Sequence, residues 1–393
     1  MARKKQQLKA VRTAKARKKR RNRRRRRAVL LAFEIIILML LLGTAYVMAK
    51  YDKFQTVTID ADDIEINEGA DREGYTTVAL FGGDSRDGQL EAGTHADTII
   101  IVAIDNSSKE IRMASVYRDT LLEQMDQTYH KANQAYFRGG PTEAINMLNK
   151  NLDLDIENYV TVDFKAMSDV VDLLGGIEIN VTDAEAEMLN HYVGETAKAA
   201  GKKANKLSGG GVYNLDGPQA VTYARLRKLE GGDFKRTERQ RVVIERIFEK
   251  AVHMDLATVN EIIDTVFPQV STSFSLTDII GLASGAAQYK LGDNTGFPFE
   301  KADGSYQNAG SVVIAQGLAE NVEELHEFLY PKESSMGVSG TVQQISDNIA
   351  YLTGVVRPAG LDQETSDGEE ETTSGPVITD STENQTSGEI SVE

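Results

Sequence analysis

The sequence predicts an α/β domain of three layers, with helices on both faces of a central mixed β-sheet, carried behind a single N-terminal transmembrane helix. Three observations predict it. Short apolar runs alternate with amphipathic helical stretches from about residue 74 to residue 356. One of those runs, Thr98–Ile104, is apolar almost throughout, as a strand buried on both faces requires. Ahead of them, Ala28–Ala49 is a 22-residue apolar run. As a helix it would rise about 33 Å, enough to cross a hydrocarbon core of roughly 30 Å.

The 393 residues carry a formal net charge of −15, unevenly spread. Met1–Arg27 holds 16 of the 44 Lys and Arg and no acid, so 28 bases stand against 59 acids in the remainder. A basic block before an apolar span places the N-terminus in the cytoplasm and the bulk of the chain outside the cell membrane. There the block meets anionic lipid head groups. It is too short to fold as a DNA-reading domain, and no nucleic-acid partner is expected. The span is long for a cleaved signal, so a retained anchor is expected. Glu34, its one charge, lies near the basic end, where it can reach the interface or stay protonated. Residues 50–73 are polar and acidic and read as an extracytoplasmic stalk. Arg357–Glu393 has ten acids against one base and many Ser, Thr and Gly, too little apolar surface to fold. Cys is absent, which excludes disulfides, thiolate metal sites and a Cys nucleophile.

A folded domain over residues 74–356 remains, and its elements follow from periodicity. Thr76–Phe81 is a short buried strand running into Gly82-Gly83-Asp84-Ser85-Arg86. Asp105-Asn106-Ser107-Ser108 turns the strand Thr98–Ile104 into a hairpin partner at Ile111–Val116. Gly139-Gly140-Pro141 opens a helix to about Leu152, with Ala144, Ile145, Leu148 and Leu152 on one stripe. Val160–Val162 is a strand, Phe164–Leu174 a helix stopped by Gly175-Gly176, and Ile177–Val181 a further strand. Residues 183–211, rich in Ala, Lys and Gly, read as a mobile excursion. Leu215-Asp216-Gly217-Pro218 caps a short helix that leads into Arg225. A long helix begins after Gly231-Gly232, with Asp233 as its N-cap, and runs to Val252. Helices near Ala257–Phe267 and Leu276–Tyr289, a strand at Val312–Ala315 and helices at Ala319–Leu329 and Thr341–Leu352 complete the domain. Val342, Ile345, Ile349 and Leu352 make the apolar stripe of the last.

The chemistry concentrates in Tyr223–Arg241, which carries Arg225, Arg227, Arg236, Arg239 and Arg241 in an otherwise acidic region. On an extended backbone Arg225 and Arg227 point the same way, and Arg236, Arg239 and Gln240 share one side of the long helix. Convergent guanidinium groups suit a phosphate or pyrophosphate held bidentately, while Arg241 falls to the solvated face. Surface ion pairing alone would account for an ordinary Arg-rich helix. Three charged loops lie at the ends of predicted strands: Gly82–Arg86, His95-Ala96-Asp97 and Arg118-Asp119. Asp84 and Asp97 are close enough in sequence to share a cation, and two carboxylates plus phosphate oxygens are the usual holders of Mg²⁺. Gly82-Gly83 lacks the Lys and Ser/Thr of a P-loop, and serves instead to let a ligand approach the backbone.

In order and spacing, Gly-Gly-Asp-Ser-Arg86, Ala96-Asp-Thr-Ile-Ile, Tyr117-Arg-Asp-Thr, Lys131-Ala-Asn-Gln-Ala-Tyr136, Asp172-Leu-Leu-Gly-Gly176, Tyr223-Ala-Arg-Leu-Arg-Lys228 and Gly232-Asp-Phe-Lys-Arg-Thr-Glu-Arg-Gln240 resemble the LytR-CpsA-Psr family. The resemblance spans about residues 74–356 and includes the anchor. It implies a membrane-anchored transferase of the Gram-positive envelope. Such enzymes move a teichoic acid, capsular or similar glycopolymer from a polyprenyl (undecaprenyl) pyrophosphate carrier to peptidoglycan through a phosphodiester. Carried over by motif, Asp84 and Asp97 would hold Mg²⁺ or Mn²⁺. Arg118, Arg225 and Arg236 would join them in catalysis. Arg86, His95, Arg227, Asp233, Arg239 and Gln240 would complete the pyrophosphate site. The family's fold buries the lipid tail in an apolar pocket between sheet and helices. Two residues depart from the family's pattern: His95 where Arg is common, exchanging a permanent charge for a conditional one, and Tyr117 where Pro is common. The same residues would serve a polyprenyl pyrophosphate pyrophosphatase. A non-catalytic wall-binding module would need the arginines but not the two aspartates.

Overall fold

The computed structural model describes residues 48, 55–56, 59–83, 90–275, 278–279, 281–282, 286–333 and 337–358. The predicted span Ala28–Ala49, save Met48, and most of the acidic tail lie outside them. No helix among the described residues is long and apolar enough to cross a membrane. Contacts divide the chain into Met1–Val356 and Arg357–Glu393.

The strands are Gln55–Thr56 (β1), Tyr75–Gly83 (β2), Ala96–Asp105 (β3), Glu110–Val116 (β4), Leu121–Glu123 (β5), Tyr129–Lys131 (β6), Asn158–Asp163 (β7), Ile177–Val181 (β8), Gly211–Leu215 (β9), Val270–Thr272 (β10), Lys290–Phe297 (β11), Lys301–Tyr306 (β12) and Gly310–Ala315 (β13). Seven of them make one sheet in the order β1-β10-β7-β2-β3-β4-β11. β2 and β7 run parallel, as do β4 and β11, while β3 is antiparallel to both its neighbours. The sheet is therefore mixed. β3 is buried from Ile99 to Asp105, as its continuous apolar run requires.

The helices are Asn133–Leu152 (α1), Phe164–Leu173 (α2), Asp183–Ala199 (α3), Gly217–Arg225 (α4), Gly232–Ala251 (α5), Leu256–Thr265 (α6), Leu318–Leu329 (α7) and Gly340–Thr353 (α8). On one face Ala79, Phe81, Ile99 and Ile101 pack with Ile145, Leu148 and Leu152 of α1, Val322 and Leu325 of α7, and Ile345 of α8. On the other, Val78, Ile100, Val102 and Leu80 meet Ile244 of α5, and Val160 and Val162 meet Ala166 and Val170 of α2. Helices thus cover both faces of the sheet. A second cluster, from Ile177, Ile179 and Val181 to Leu189, Val193, Ala220 and Val243, packs the β8–β9 ribbon with α3, α4 and α5. Gly217 admits no side chain there, because a Cβ would lie 2.1 Å from Ser168 O.

Several elements differ from expectation. Residues 183–199 are not a mobile excursion but a full helix. Thr182 and Glu185 form a reciprocal capping box, and Ala186, Leu189, Val193 and Ala197 bury one stripe. The helix expected to open at Gly139 begins at Asn133 and is kinked at Gly140, where φ is 69°, ahead of Pro141. β11 has no apolar alternation and reads as loop in sequence, yet its backbone pairs with β4. Leu352 is 39% exposed, leaving the α8 stripe to its other three residues. The expected helix Leu276–Tyr289 lies partly outside the described residues.

The stalk reading fails for residues 59–73, which lie against the domain. Ile59 and Ile64 pack on the core. Asn146 and Asn149 of α1 bond the backbone of Asp63 and Glu65, and Asn67 Nδ2 donates to Lys150 O and Asp153 Oδ1. Arg72 is buried. It donates to His326 Nδ1 at 3.2 Å and lies over the Tyr330 ring. Polar composition alone had suggested a stalk, but here the polar groups bond the helix rather than water.

A guanidinium can only donate and a carbonyl only accept, so His326 is neutral, with its proton on Nε2 pointing to Leu152 O at 2.8 Å. Burial, then the Arg72 charge, pushes His326 below its ordinary value. The unfolded chain takes up this proton as pH falls below about 6.5, and the folded chain does not. Stability should therefore fall as pH drops from about 6.5 towards the folded value. Urea unfolding across pH 7 to 5 should show a steeper loss for the native protein than for His326→Gln.

Candidate active site

The topology brings one row of charged residues to a single edge of the sheet. β2, β4, β7 and β11 all end there, and β3 begins there. In strand order from β7 the row reads Asp163, Gly83, Asp97 and Arg118. Gly82 pairs with Thr98 and Gly83 with Ala96, so Asp97 is the bulged residue between them. Asp84 follows Gly83 directly, but Asp84 and Arg86 lie outside the described residues. Gly82 is required by packing rather than by a ligand, since a Cβ would lie 2.8 Å from Thr98 Cβ.

Three guanidinium groups converge on one carboxylate. Arg227 Nε and Arg236 Nη2 lie 3.0 and 3.1 Å from Asp233 Oδ1, and Arg118 Nε lies 4.0 Å from it. Arg118 also pairs with Asp97 Oδ1 and lies 3.6 Å from Asp119. Arg236 Nη2 donates to Asp97 O at 3.1 Å, tying α5 to the start of β3. Burial opposes the charge on Arg118, but Asp97, Asp119 and Asp233 outweigh it and hold its pKa up. Arg236 is buried more deeply, and loss of water takes its guanidinium down to about 10 despite Asp233. Nε of Arg118 and Nε of Arg236 are buried without a hydrogen-bond acceptor among the described residues. Two strong donors so placed are suited to an anion.

Asp233 is therefore not the N-cap of α5. Gly231, with φ at 81°, takes the cap position, and the Asp233 carboxylate turns inward to the arginines. Nor do Arg225 and Arg227 share an extended segment. Arg225 is the last residue of α4, its guanidinium 4.4 Å from the Phe164 ring centroid, and no carboxylate pairs with it among the described residues.

Beside this cluster an apolar cavity of about 270 Å³ opens between the sheet and its helices. Leu80, Ile100, Val160 and Val162 form its sheet wall, with Met167, Val170, Val221, Ala224, Ile244 and Ile247 opposite. Of its polar lining, Thr98, Asp163 and Arg225 come from the ends of elements that meet at the charged edge, and Gln240 comes from within α5. Gln240 is buried, and its carboxamide forms no hydrogen bond among the described residues. An apolar chamber with cations at one end fits an amphiphile whose head is an anion.

Three predicted residues sit elsewhere. Arg239 donates to Glu185 at 2.7 Å and to Leu226 O at 3.2 Å, so it braces α5 against α3 and the Arg-rich loop. Arg241 is buried, not solvated, and donates to Asn294 Oδ1 at 2.6 Å. His95 stacks on Phe137 at 4.5 Å and is exposed at the rim. Sequence reasoning missed Asp163, whose carboxylate caps α2 through Ala166 N at 2.6 Å and whose pKa burial raises. It also missed Phe164, the platform for Arg225. An Asp just before the first apolar residue of a predicted helix was the available signal.

Among the described residues no cluster of three or more His, Asp or Glu could hold a metal. The available donor is Asp97, whose Oδ2 accepts no hydrogen bond from them. The strand pairing sets Gly83, the last described residue before Asp84, next to it. A carboxylate is the kind of hard oxygen donor that Mg²⁺ takes.

Fold and site together define an α/β domain built to bind an anionic amphiphile. The chain belongs to the LytR_cpsA_psr family, whose description matches residues 43–324. It is 28% identical over 276 residues to the polyisoprenyl-teichoic acid–peptidoglycan teichoic acid transferase TagU of Bacillus licheniformis, covering 70% of this chain and 78% of that one. It is 30% identical over 192 residues to the corresponding transferase TagV of Bacillus subtilis, covering 48% of this chain and 47% of TagV. Its fold is similar to that of the LytR-CPS2A-psr family protein YwtF (TagT) with bound octaprenyl pyrophosphate lipid. The TM-score is 0.51 at 21% identity, over 70% of this chain and 99% of that one.

Removing the shared acceptor should expose the repulsion it suppresses. Asp233→Asn should cost about 2 kcal/mol of stability in urea unfolding, since it leaves the buried Arg236 without its carboxylate partner.

Proposed function

We propose that this protein transfers an anionic glycopolymer, a teichoic acid or similar chain, from a polyprenyl pyrophosphate carrier to peptidoglycan. The observation that carries the proposal is the junction of the apolar cavity with the arginine cluster at Arg225 and Gln240. The prenyl chain occupies the cavity. The pyrophosphate meets Arg225, Arg118, Arg227 and Arg236, with His95 on the approach. The names of the relatives TagU and TagV support the same reading.

A hydroxyl of peptidoglycan attacks the phosphorus that bears the polymer. The new bond is oxygen to phosphorus, the bridging P–O bond breaks, and polyprenyl phosphate leaves with the electron pair. The hydroxyl proton passes to a carboxylate, Asp97 or Asp84. Displacement at phosphorus needs charge neutralisation more than a protein nucleophile, and the guanidinium groups supply it along the bridging and leaving oxygens. Arg118, Arg227 and Arg236 are nearly neutralised by Asp97, Asp119 and Asp233 in the free site. An arriving pyrophosphate exchanges these partners rather than filling bare charge. Mg²⁺ or Mn²⁺ held by Asp84 and Asp97 would neutralise further charge on the phosphates.

Ala28–Ala49 would anchor the chain, with Met1–Arg27 in the cytoplasm against anionic lipids and the domain outside. Arg357–Glu393 would be a solvated acidic extension.

The test is to supply the full-length protein with polyprenyl pyrophosphate-linked glycopolymer, peptidoglycan and Mg²⁺, and to follow polyprenyl phosphate and polymer-bearing peptidoglycan together. Both should appear, EDTA should stop both, and Asp97→Ala should slow them roughly a hundred-fold. Lipid product without acceptor would show a pyrophosphatase instead, and binding without turnover a wall-binding module. In the same preparation, Phe164→Leu should weaken octaprenyl pyrophosphate binding about five-fold by removing the ring that holds Arg225.

A further inference from the structure

The charged edge does not stop at Arg118. β4 is followed in the sheet by β11, which ends at Phe297, and Lys301 opens β12 just beyond. Tyr117 N donates to Phe297 O at 3.0 Å, which fixes this corner against the residue preceding Arg118. The Lys301 ammonium lies 5.4 Å from the Tyr117 ring centroid and 5.2 Å from that of Phe234, two rings packed edge to face at 4.7 Å. These are the neighbours in sequence of Arg118 and Asp233. Lys301 Nζ donates to Phe299 O at 2.9 Å, and among the described residues no carboxylate pairs with it. Arg118, Arg227 and Arg236, by contrast, all have aspartate partners.

We propose that Lys301, held on the faces of Tyr117 and Phe234, is a second anion subsite that binds a phosphodiester of the glycopolymer itself. The inference rests on the transferase reading and adds a direction to it. The lipid cavity lies under β7, β2 and β3, the pyrophosphate cluster at the ends of β3 and β4, and Lys301 against Tyr117 and Phe234, the neighbours of Arg118 and Asp233. A polymer leaving the pyrophosphate away from its lipid would pass over Lys301. Aromatic faces hold the ammonium by its charge without neutralising it, as a carboxylate would, so it stays available to a singly charged phosphodiester. Lys, with three rotatable donors on a flexible stem, tolerates the variable position of a phosphate in a mobile chain better than a guanidinium fork.

The experiment compares binding of two probes to the full-length protein: octaprenyl pyrophosphate, and octaprenyl pyrophosphate bearing a short glycerol phosphate oligomer. Lys301→Gln should weaken the oligomer-bearing lipid roughly five-fold and leave octaprenyl pyrophosphate unchanged. Lys301→Arg should restore most of the loss, and added salt should narrow the difference. Equal weakening of both probes, or no change in either, would overturn the subsite, as would an effect confined to the KM for peptidoglycan. Thermal unfolding of each variant separates a folding defect from a binding one. A native protein that binds neither lipid would refute the transferase reading. Titration of the free oligomer against native protein and Lys301→Gln then decides the subsite by itself.

Discussion

The site depends on one carboxylate. Arg118, Arg227 and Arg236 approach one another because Asp233 stands between them, and without it three like charges would crowd a partly buried corner. Even so, burial takes Arg236 down to about 10, against the opposing pull of Asp233. This arrangement stores binding capacity in exchangeable form. Asp233, Asp97 and Asp119 keep the cations ionised and in place, and a pyrophosphate with more charge and more lone pairs can take over their donors. Nε of Arg118 and Nε of Arg236, which lack acceptors among the described residues, are the groups with most to gain.

The second constraint is the boundary between this corner and the apolar cavity. A charged residue at the rim of an apolar chamber must be supported without being neutralised. Phe164 provides that for Arg225, with its ring under the guanidinium and its backbone at the first turn of α2. Asp163 fixes the start of the same helix by accepting from Ala166 N. The two adjacent residues thus lie where the apolar wall of the cavity gives way to its charged end. Lys301 makes the same kind of contact, with two rings in place of one.

Much of this was legible in sequence, and the exceptions have physical causes. The central strands and α2, α7 and α8 were found because their apolar period is set by the core they face. Helix α3 was missed because its stripe is built from Ala as much as from Leu and Val, and the Lys and Gly after it suggested a loop; the Thr182–Glu185 box was the signal to use. β11 was missed because its pairing is carried by backbone bonds to β4, and its residues include Gly, Asp, Asn and Thr. Residues 59–73 read as a stalk because their Asn and Asp could as well bond water as α1, and sequence does not say which. The order of the motifs identified which arginines matter, but not their partners. Nothing in the spacing of Asp233 from Arg227 and Arg236 separates an N-cap from a counter-ion.

Helix α5 shows why counting arginines would mislead. Arg236 and Gln240 share the side that faces the sheet edge and the cavity, and there they meet Asp97 and the apolar lining. Arg239, one residue before Gln240, is turned towards α3 and is committed to Glu185 and Leu226 O. Arg241, one residue after it, is turned towards β11 and Asn294. Three arginines within six residues therefore do three different jobs, and a helix of 3.6 residues per turn makes this unavoidable. The two that brace the helix still bear on function. Arg236 can be presented to a phosphate while buried only if α5 is held rigidly from both sides, and Arg239 and Arg241 are two of the polar contacts that hold it. A cluster of cations becomes a binding site when some of them are given up to fix the position of the rest.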